Sequence, residues 1–315
     1  MVGRKIILHI GLAAVCFVGL GARCTGSTVW TQATIETIPL NTASLSALEV
    51  RTHNGSITFV GGEENEPVAT VTKKGGGATL SDAEDALASI EVFVEPGDAG
   101  LQKLGWRWKT TRRSSWSANV SFDIRAPRSL DLTFETHNGA IEARGADGDV
   151  TTTTHNGSVT VTDVRGVVKA TTHNGSVEVS GITGDVRLTT HNGGVEADSA
   201  GGAQFCKTHN GAIVSTYSGD AITLETHNGS VKADVTKCGP VGGSITTHNG
   251  SVKLFVGDAT STTLNCETHR GAINCEPPLA DRQASKRRLS GVLGEGGASL
   301  DVQTHNGSIH IGYTQ

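Results

Sequence analysis

The sequence predicts an all-β solenoid, in which turns of the chain stack as rungs and two sheets pack face to face. The first observation is a repeat, because Thr-His-Asn-Gly occurs nine times and Thr-His-Arg-Gly once. From His137 to His227 the spacing is 18 residues five times in succession, followed by 21, 21 and 36. A fixed period near 20 is typical of stacked supersecondary units. The motif histidines are His53, His137, His155, His173, His191, His209, His227, His248, His269 and His305.

The second observation is the alternation of apolar and polar residues on both sides of each motif. In the fifth copy, Val186 and Leu188 flank Arg187 before the motif, and Val195 is followed by Glu196 after it. A period of two predicts one strand before the motif and one after it, each with a single buried face.

The third observation is the chemistry of the two corners. Asn-Gly is the strongest short turn signal, and the other corner of many rungs carries Gly-Asp, as at 184–185. Each rung therefore holds two strands in about 18 residues. Because neighbouring strands lie about 4.8 Å apart, about ten rungs from residue 130 onward predict a rod about 45 Å long.

The remaining segments divide the chain into regions. Residues 1–23 are predicted to be a signal peptide, residues 24–129 a strand, the first rung and a cap region, and residues 130–315 the solenoid. Residues 276–297 are predicted to be an irregular excursion or a degenerate rung, because the period expects a motif histidine where Arg287 stands.

The cap region, which interrupts the repeat, has its own signals. Ser81-Asp82-Ala83-Glu84 is a capping box, which predicts a short helix over 82–88. The β-rich segments 90–94, 105–110 and 120–124 are predicted to be strands.

The N-terminal segment has the pattern of an export signal. Arg4 and Lys5 precede an apolar run from residue 6 to residue 20, which is too short for an ordinary membrane span. Removing residues 1–23 would change the formal charge from −5 to −8, because three basic residues are lost. Cys24 is a candidate for lipidation, although Arg23 replaces the usual small residue. Soluble secretion after Ala22 and a retained anchor are the alternatives, and all three predict a periplasmic, cell-envelope or cell-surface location.

Each motif residue except histidine has a structural role. Asn and Gly form the corner, the inward Thr can bond corner backbone groups, and stacked Asn amides can bond along the rod. The outward histidines should form a column with about 4.8 Å between rings. At that spacing two like charges in water repel by about 0.9 kcal/mol, so we expect a largely neutral column at pH 7.

Neutral imidazoles are ligands for Zn, Cu or Ni, so weak metal binding is one hypothesis for the column. A plain structural ladder and a pH-sensitive or partner-binding stripe are the alternatives. No other cofactor is predicted. The candidate metal ligands are His137, His155, His173, His191, His209, His227 and His248.

A basic segment rich in tryptophan lies before the repeats. Trp106, Arg107, Trp108 and Trp116 are candidate partner-binding residues, because exposed Trp and Arg are typical interface anchors. The alternative is a hairpin whose tryptophans cover the end of the solenoid.

Disulfide bonds form and persist in proteins outside the cytoplasm. Cys266 and Cys275 are predicted to share one rung with both side chains inward, and they are the one pair proposed as a disulfide. The alternative is that the repeat cysteines act as small apolar residues.

The repeated Thr-x-Asn-Gly-Ser/Ala-Ile/Val, the Gly-Asp-Val corners, the segment 119–127 and the Gly-rich run before the last copy together resemble a known family. It comprises bacterial envelope proteins built from β-strand repeats and described as candidate adhesins or as a domain of unknown function. The resemblance covers about residues 30–315. It implies a solenoid on an exported protein and no catalytic residues.

The predicted function is therefore an exported, non-catalytic envelope structural or adhesin-like binding protein. A metal-binding His column is the alternative, and a glycan-active β-helix protein is the third hypothesis. Catalysis is disfavoured because the outward positions contain no convergent acid pair. The expected partner is an envelope polymer, a glycan or a protein surface, with a membrane tether if Cys24 is lipidated. Nucleic acid is not expected, because the formal charge is −5.

Overall fold

The computed structural model describes residues 5–6, 30–41, 45–63, 66–199, 201–219, 221–236, 239–258 and 260–314. Most of the predicted signal peptide, together with Cys24 and Cys238, lies outside the described residues. The N-terminal elements are β1 (Lys5–Ile6), β2 (Trp30–Pro39), β3 (Ala47–Arg51), β4 (Ile57–Gly62), β5 (Val68–Gly77), α1 (Leu80–Ser89), β6 (Ile90–Pro96), a 3-10 turn (Asp98–Gly100), β7 (Leu101–Trp108) and β8 (Ser117–Pro127). Among the described residues, no helix is both long and apolar enough to span a membrane.

The repeat region continues as strands of three to eleven residues, with one two-residue bridge strand. Those up to the last regular period are β9 (Asp131–Thr136), β10 (Ile141–Ala146), β11 (Val150–Thr154), β12 (Val159–Val164), β13 (Val168–Thr171), β14 (Val177–Ile182), β15 (Val186–Thr189), β16 (Val195–Ser199), β17 (Gln204–Thr208), β18 (Ile213–Tyr217), β19 (Ala221–Thr226) and β20 (Val231–Val235). The remainder are β21 (Gly239–Pro240), β22 (Gly242–Thr247), β23 (Val252–Val256), β24 (Thr260–Arg270), β25 (Ile273–Cys275), β26 (Ala280–Ala284), β27 (Arg288–Leu293), β28 (Ser299–Asn306) and β29 (Ile309–Tyr313).

The predicted β-solenoid is confirmed. The described strands form two long sheets, and the two strands of each rung belong to different sheets. Rung strands pair in parallel with the equivalent strands of neighbouring rungs, so Val150 pairs with Val168 and Val168 with Val186. A parallel register of one whole period places each buried position over its counterpart, which explains why the sequence repeats so regularly.

The core is a thin layer of aliphatic side chains between the two sheets. Val168, Leu188 and Ile222 from one sheet and Val159 and Val177 from the other are all fully buried. Burial of apolar surface contributes about 25 cal/mol per Å², so each rung is stabilised mainly by the rungs above and below it.

The motif threonines satisfy the corner backbone, as predicted. Thr172 Oγ1 donates to the Gly157 carbonyl at 2.8 Å, and Thr190 Oγ1 donates to the Gly175 carbonyl at 2.8 Å. A Cβ added at Gly175 would lie 1.9 Å from the Gly157 carbonyl oxygen, so the motif glycine is required by close stacking.

The N-terminal end is closed by a rung that has no motif. β7 pairs in parallel with β3, and β8 pairs in parallel with β4. Beyond them β6, β5 and β2 add antiparallel strands, and α1 packs on β5. The helix is longer than predicted. Thr79, and not Ser81, is its N-cap, because the Thr79 hydroxyl accepts from the Asp82 amide.

The C-terminal end departs from chain order. β28 lies between β22 and β24, and β29 lies between β23 and β25. The last motif copy is therefore the penultimate rung in space, and the copy containing His269 is the terminal rung. Within residues 276–297, β26 and β27 form an antiparallel pair that extends one sheet past β24. No rung forms around Arg287 in this described segment.

Candidate binding surface

The ten motif histidines form one continuous stack, here called the His column. Neighbouring ring centroids lie 4.5 to 4.9 Å apart, and the ring planes differ by 2° to 27°. All ten residues are exposed. Nine such steps make the column about 43 Å long. Along the rod the order is His53, His137, His155, His173, His191, His209, His227, His248, His305 and His269.

An asparagine ladder supports the column from the adjacent motif position. From the second motif copy onward, each Asn Nδ2 donates to the Asn Oδ1 of the preceding rung, as Asn174 does to Asn156 at 2.8 Å and Asn192 does to Asn174 at 2.8 Å. Eight such bonds join the nine Asn-containing rungs. The ladder ends at Asn306, whose Oδ1 is buried without a partner, because the next rung carries Arg270 in this position.

The ladder also contacts three of the imidazoles, those of His173, His209 and His227. Nδ1 lies 3.0 Å from the Asn Oδ1 of the same motif at His173 and His209, and 3.1 Å at His227. Because that amide oxygen can only accept, Nδ1 must donate. In the neutral ring Nε2 is then an acceptor. Within the described part of the chain no Nε2 of the column has a hydrogen-bond partner.

A groove runs beside the C-terminal half of the column. It has a volume of about 560 Å³, and it lies between the imidazoles and the outward residues two positions before them. The imidazoles on one side, here called the groove histidines, are His209, His227, His248, His269 and His305. The opposite side, here called the polar row, consists of Lys207, Glu225, Thr246, Gln303 and Glu267.

The charged members of the polar row are paired at the surface. Lys207 Nζ lies 2.8 Å from Glu225 Oε1, and Arg288 Nη2 lies 2.9 Å from Glu267 Oε1. Exposed pairs of this kind contribute about 0 to 1 kcal/mol, so they hold the row in place weakly. The carboxylates therefore remain available as hydrogen-bond acceptors for a ligand.

The column geometry sets conditions on metal binding. Imidazole binds a metal in its ring plane, and two nitrogens on one tetrahedral zinc ion are roughly 3.4 Å apart. Nearly parallel rings 4.8 Å apart, such as His137 and His155, must turn before they can share an ion. Among the described residues, no group of three or more His, Cys, Asp or Glu side chains is arranged to hold a metal. Metal binding stays a prediction.

The tryptophans lie at the N-terminal end, away from the groove. Trp106 Nε1 donates to the first motif threonine, Thr52, at 3.1 Å. Trp106 packs edge-on against Trp108 with centroids 5.6 Å apart, and Trp108 lies 5.8 Å from Trp116, which is buried. Arg107 is exposed and pairs with Glu91, and the Glu91 carboxylate raises the pKa of that guanidinium. This arrangement places the indoles in the cap, and partner binding there stays a prediction.

Cys206, Cys266 and Cys275 are free thiols in the structure, and the Cys266–Cys275 disulfide stays a prediction. The two residues belong to β24 and β25, which lie in opposite sheets. The Cys275 thiol donates instead to the Pro277 carbonyl. Burial raises the pKa of Cys266 to about 12 and raises that of Cys206 as well, which is consistent with thiols packed as apolar groups.

Sequence reasoning did not single out the polar row as a site. Its members vary from rung to rung, so no motif marks them. The available signal was their fixed position two residues before each histidine, which places them on the same outward face.

A family model matches residues 108–312, which is about two thirds of the chain. The chain belongs to the Toastrack DUF4097 family. The Toastrack match covers every motif copy except the one at His53. It confirms the resemblance to a domain of unknown function. No curated protein matches the sequence.

Three solved structures are similar to this Toastrack chain. A candidate cell adhesion protein from Clostridium sporogenes ATCC 15579 is 10% identical, with 90% of this chain and 100% of that chain covered and a TM-score of 0.24. Candidate adhesins from Parabacteroides distasonis ATCC 8503 and Bacteroides fragilis NCTC 9343 are each 12% identical, with TM-scores of 0.37 and 0.35. The match to the Parabacteroides distasonis protein covers 89% of this chain and 97% of that chain. The match to the Bacteroides fragilis protein covers 88% of this chain and 96% of that chain. Similarities at this level do not identify what the Toastrack chain binds.

Proposed function

We propose that this Toastrack protein is an exported, non-catalytic, adhesin-like binding rod of the bacterial envelope, and that the groove beside the His column is the binding surface. The observation that carries the proposal is the continuous exposure of ten identical side chains along about 43 Å. Asn, Thr and Gly already form the motif corner in nine of the ten copies, so the histidines are the motif residues left to contact a partner.

The shape of this surface favours a polymer over a small molecule. The groove runs along the rod, and its imidazoles repeat every 4.5 to 4.9 Å. A chain with its own repeat can contact many rungs at once, so weak contacts add up to useful affinity. An envelope polymer or glycan is therefore the proposed partner.

Export is supported by the sequence pattern of residues 1–23 and by the family resemblance. The proposed location is periplasmic, envelope-bound or cell-surface, with a lipid tether if Cys24 is the first mature residue. Mass spectrometry of the mature N-terminus tests this point. An N-terminus upstream of residue 20 would contradict cleavage.

Pull-down of native envelope material by the mature protein tests the binding function. The matched comparison is a variant with all five groove histidines changed to Gln, which keeps a polar side chain but does not titrate. We expect wild type to retain envelope polymer and the variant to lose most of it while circular dichroism stays unchanged. Failure of wild type to retain any envelope component would contradict the proposed function.

Metal binding is the second candidate, and one observation favours it. Metal-ligating histidines donate their second ring nitrogen to an oxygen, and Nδ1 of His173 and His209 contacts an Asn Oδ1 in that way. Titration calorimetry with Zn²⁺ and Cu²⁺ on the mature protein tests it. Equal heats from wild type and from a variant with all ten column histidines changed to Gln would remove the metal hypothesis.

A further inference from the structure

We infer that the groove binds a linear acidic polysaccharide and does so preferentially at mildly acidic pH, an inference that rests on the proposed binding function. The groove histidines lie in neighbouring rungs with ring centroids 4.5 to 4.9 Å apart. Histidine is the side chain that ordinarily gains its charge between pH 8 and pH 5. A protonated imidazole is a cation with two N–H donors, so a row of protonated rings attracts a row of carboxylates.

The size of the charge change is large for this chain. The formal charge is −5 with neutral histidines, and charging all 12 histidines brings it to +7. Ten of the new charges lie on one line, so they produce a strongly directional field. Charging neighbouring rings is opposed by their mutual repulsion. A bound row of carboxylates offsets that repulsion, so ligand binding and proton uptake reinforce each other.

Other charged groups lie around the column, but they do not cancel the positive charge that the imidazoles gain on protonation. From the strand before each motif, the polar row supplies Lys207, Glu225 and Glu267, and β27 supplies Arg288. At the far end of the column, Arg51 pairs with Glu135. Two basic groups pair with two acidic groups beside the groove, so the proton-dependent charge there comes from the imidazoles. The terminal rung adds Arg270, exposed next to His269.

The opposite side of the groove identifies the chemical class of the ligand. Glu225 and Glu267 accept hydrogen bonds from hydroxyl groups, which the internal units of a polyphosphate chain do not carry. Thr246 and Gln303 between them also pair with hydroxyls. A polysaccharide of uronic acids offers carboxylates to the histidines and hydroxyls to the polar row at the same time. The groove requires both groups together.

The experiment measures the Kd of oligogalacturonate by fluorescence anisotropy at pH 5.5 and pH 7.5. The carboxylates of the polymer remain largely ionised at both pH values, so any difference in Kd between them comes from the protein. Neutral dextran of equal length and polyphosphate are the comparison ligands. The groove variant changes the five groove histidines to Gln. Its matched control changes the other five, His53, His137, His155, His173 and His191, so both variants lose the same number of histidines.

We expect wild type to bind oligogalacturonate at least tenfold more tightly at pH 5.5 than at pH 7.5. The groove variant should lose that difference, and the control variant should keep most of it. Equal losses in both variants, pH-independent binding, or tighter binding of polyphosphate would each overturn the inference. If envelope material is still retained while oligogalacturonate is not bound, the proposed function stands and this inference fails. If neither is bound, both fail.

Discussion

Thr172 and Thr171 are adjacent residues of one rung, yet they have opposite roles. Thr172 is buried and donates to the Gly157 carbonyl, whereas Thr171 is exposed. Valine has nearly the shape of threonine but no hydroxyl. Replacing a buried donor leaves its acceptor unsatisfied, which costs about 1 to 3 kcal/mol.

Thr172→Val should therefore lower the free energy of unfolding by about 1 to 3 kcal/mol. The Thr171→Val control should change it by less than about 0.5 kcal/mol, since it alters only the surface. Urea denaturation followed by circular dichroism measures both. Equal effects of the two substitutions would contradict the assigned role of the inward threonines.

The described cysteines differ in burial, and this predicts their reactivity. Burial raises the pKa of all three thiols, but Cys206 and Cys266 are buried, whereas Cys275 is only partly buried and is more accessible to a reagent. Iodoacetamide should label Cys275 first, and Cys206 and Cys266 only after unfolding, as peptide mapping would show. Rapid native labelling of Cys206 would contradict its place in the core.

The same burial has a consequence for stability at high pH. The pKa of Cys266 in the folded protein, about 12, lies above its ordinary value of 9.0. The buried neutral thiol therefore makes its full contribution to the free energy of unfolding below pH 9. As the pH rises from 9 towards 12, the unfolded chain ionises first and stability is lost. Cys266→Val should flatten the fall in melting temperature over that range, and an unchanged slope would contradict the argument.

At the scale of elements, the rung order near the C-terminus is the feature that the sequence did not predict. Every rung has nearly the same motif, so spacing alone cannot decide which copies are neighbours. The decisive residue is Arg270. An Asn-to-Arg change interrupts the amide ladder, so the rung carrying it fits the end of the stack better than an internal position.

Engineered disulfides can distinguish the observed rung order, in which β28 lies between β22 and β24, from stacking in chain order. Ser244 and Asp301 are Cα partners in adjacent parallel strands, about 4.8 Å apart, which is within disulfide reach. Ser244→Cys with Asp301→Cys should oxidise readily. Ser244→Cys with Asn265→Cys should not, because β28 lies between them. Reversed cross-linking, read by peptide mass spectrometry, would show that the copies stack in chain order.

The end of the asparagine ladder offers a stabilising substitution. Asn306 Oδ1 is buried without a partner, and Arg270 is its strand partner in the terminal rung. Arg270→Asn would extend the ladder by one amide bond, which should raise the free energy of unfolding by about 1 kcal/mol. Arg270→Gln is the control, since its longer side chain does not match the ladder spacing. No gain from Arg270→Asn would contradict the ladder's contribution.

The regular elements were otherwise predictable from residue patterns. Alternation defined the strands, and Asn-Gly defined the corners, because both signals are local. The helix cap was placed wrongly because Thr79 and Ser81 are both acceptable caps, and only packing of α1 on β5 selects between them. The groove was not predicted because the residues of its polar row differ in type from rung to rung, so no motif marks them.

At the scale of the whole molecule, a stack of equivalent rungs should tolerate removal of whole periods. Deleting residues 154–189 joins Thr153 to Thr190 and removes two rungs without changing the alternation or the groove. The shortened rod should fold, with a urea m-value lower by roughly a tenth, in proportion to the surface exposed on unfolding. A molten or aggregated product would contradict the additive description of the rod.

The central claim is that the groove histidines form the binding surface, and side-chain NMR of protein labelled with ¹⁵N-histidine tests it most directly. Oligogalacturonate added at pH 5.5 should shift the imidazole signals of His209, His227, His248, His269 and His305. The signals of His53 to His191 should move little. Shifts spread evenly over the ten histidines, or none at all while the polymer binds, would contradict the claim.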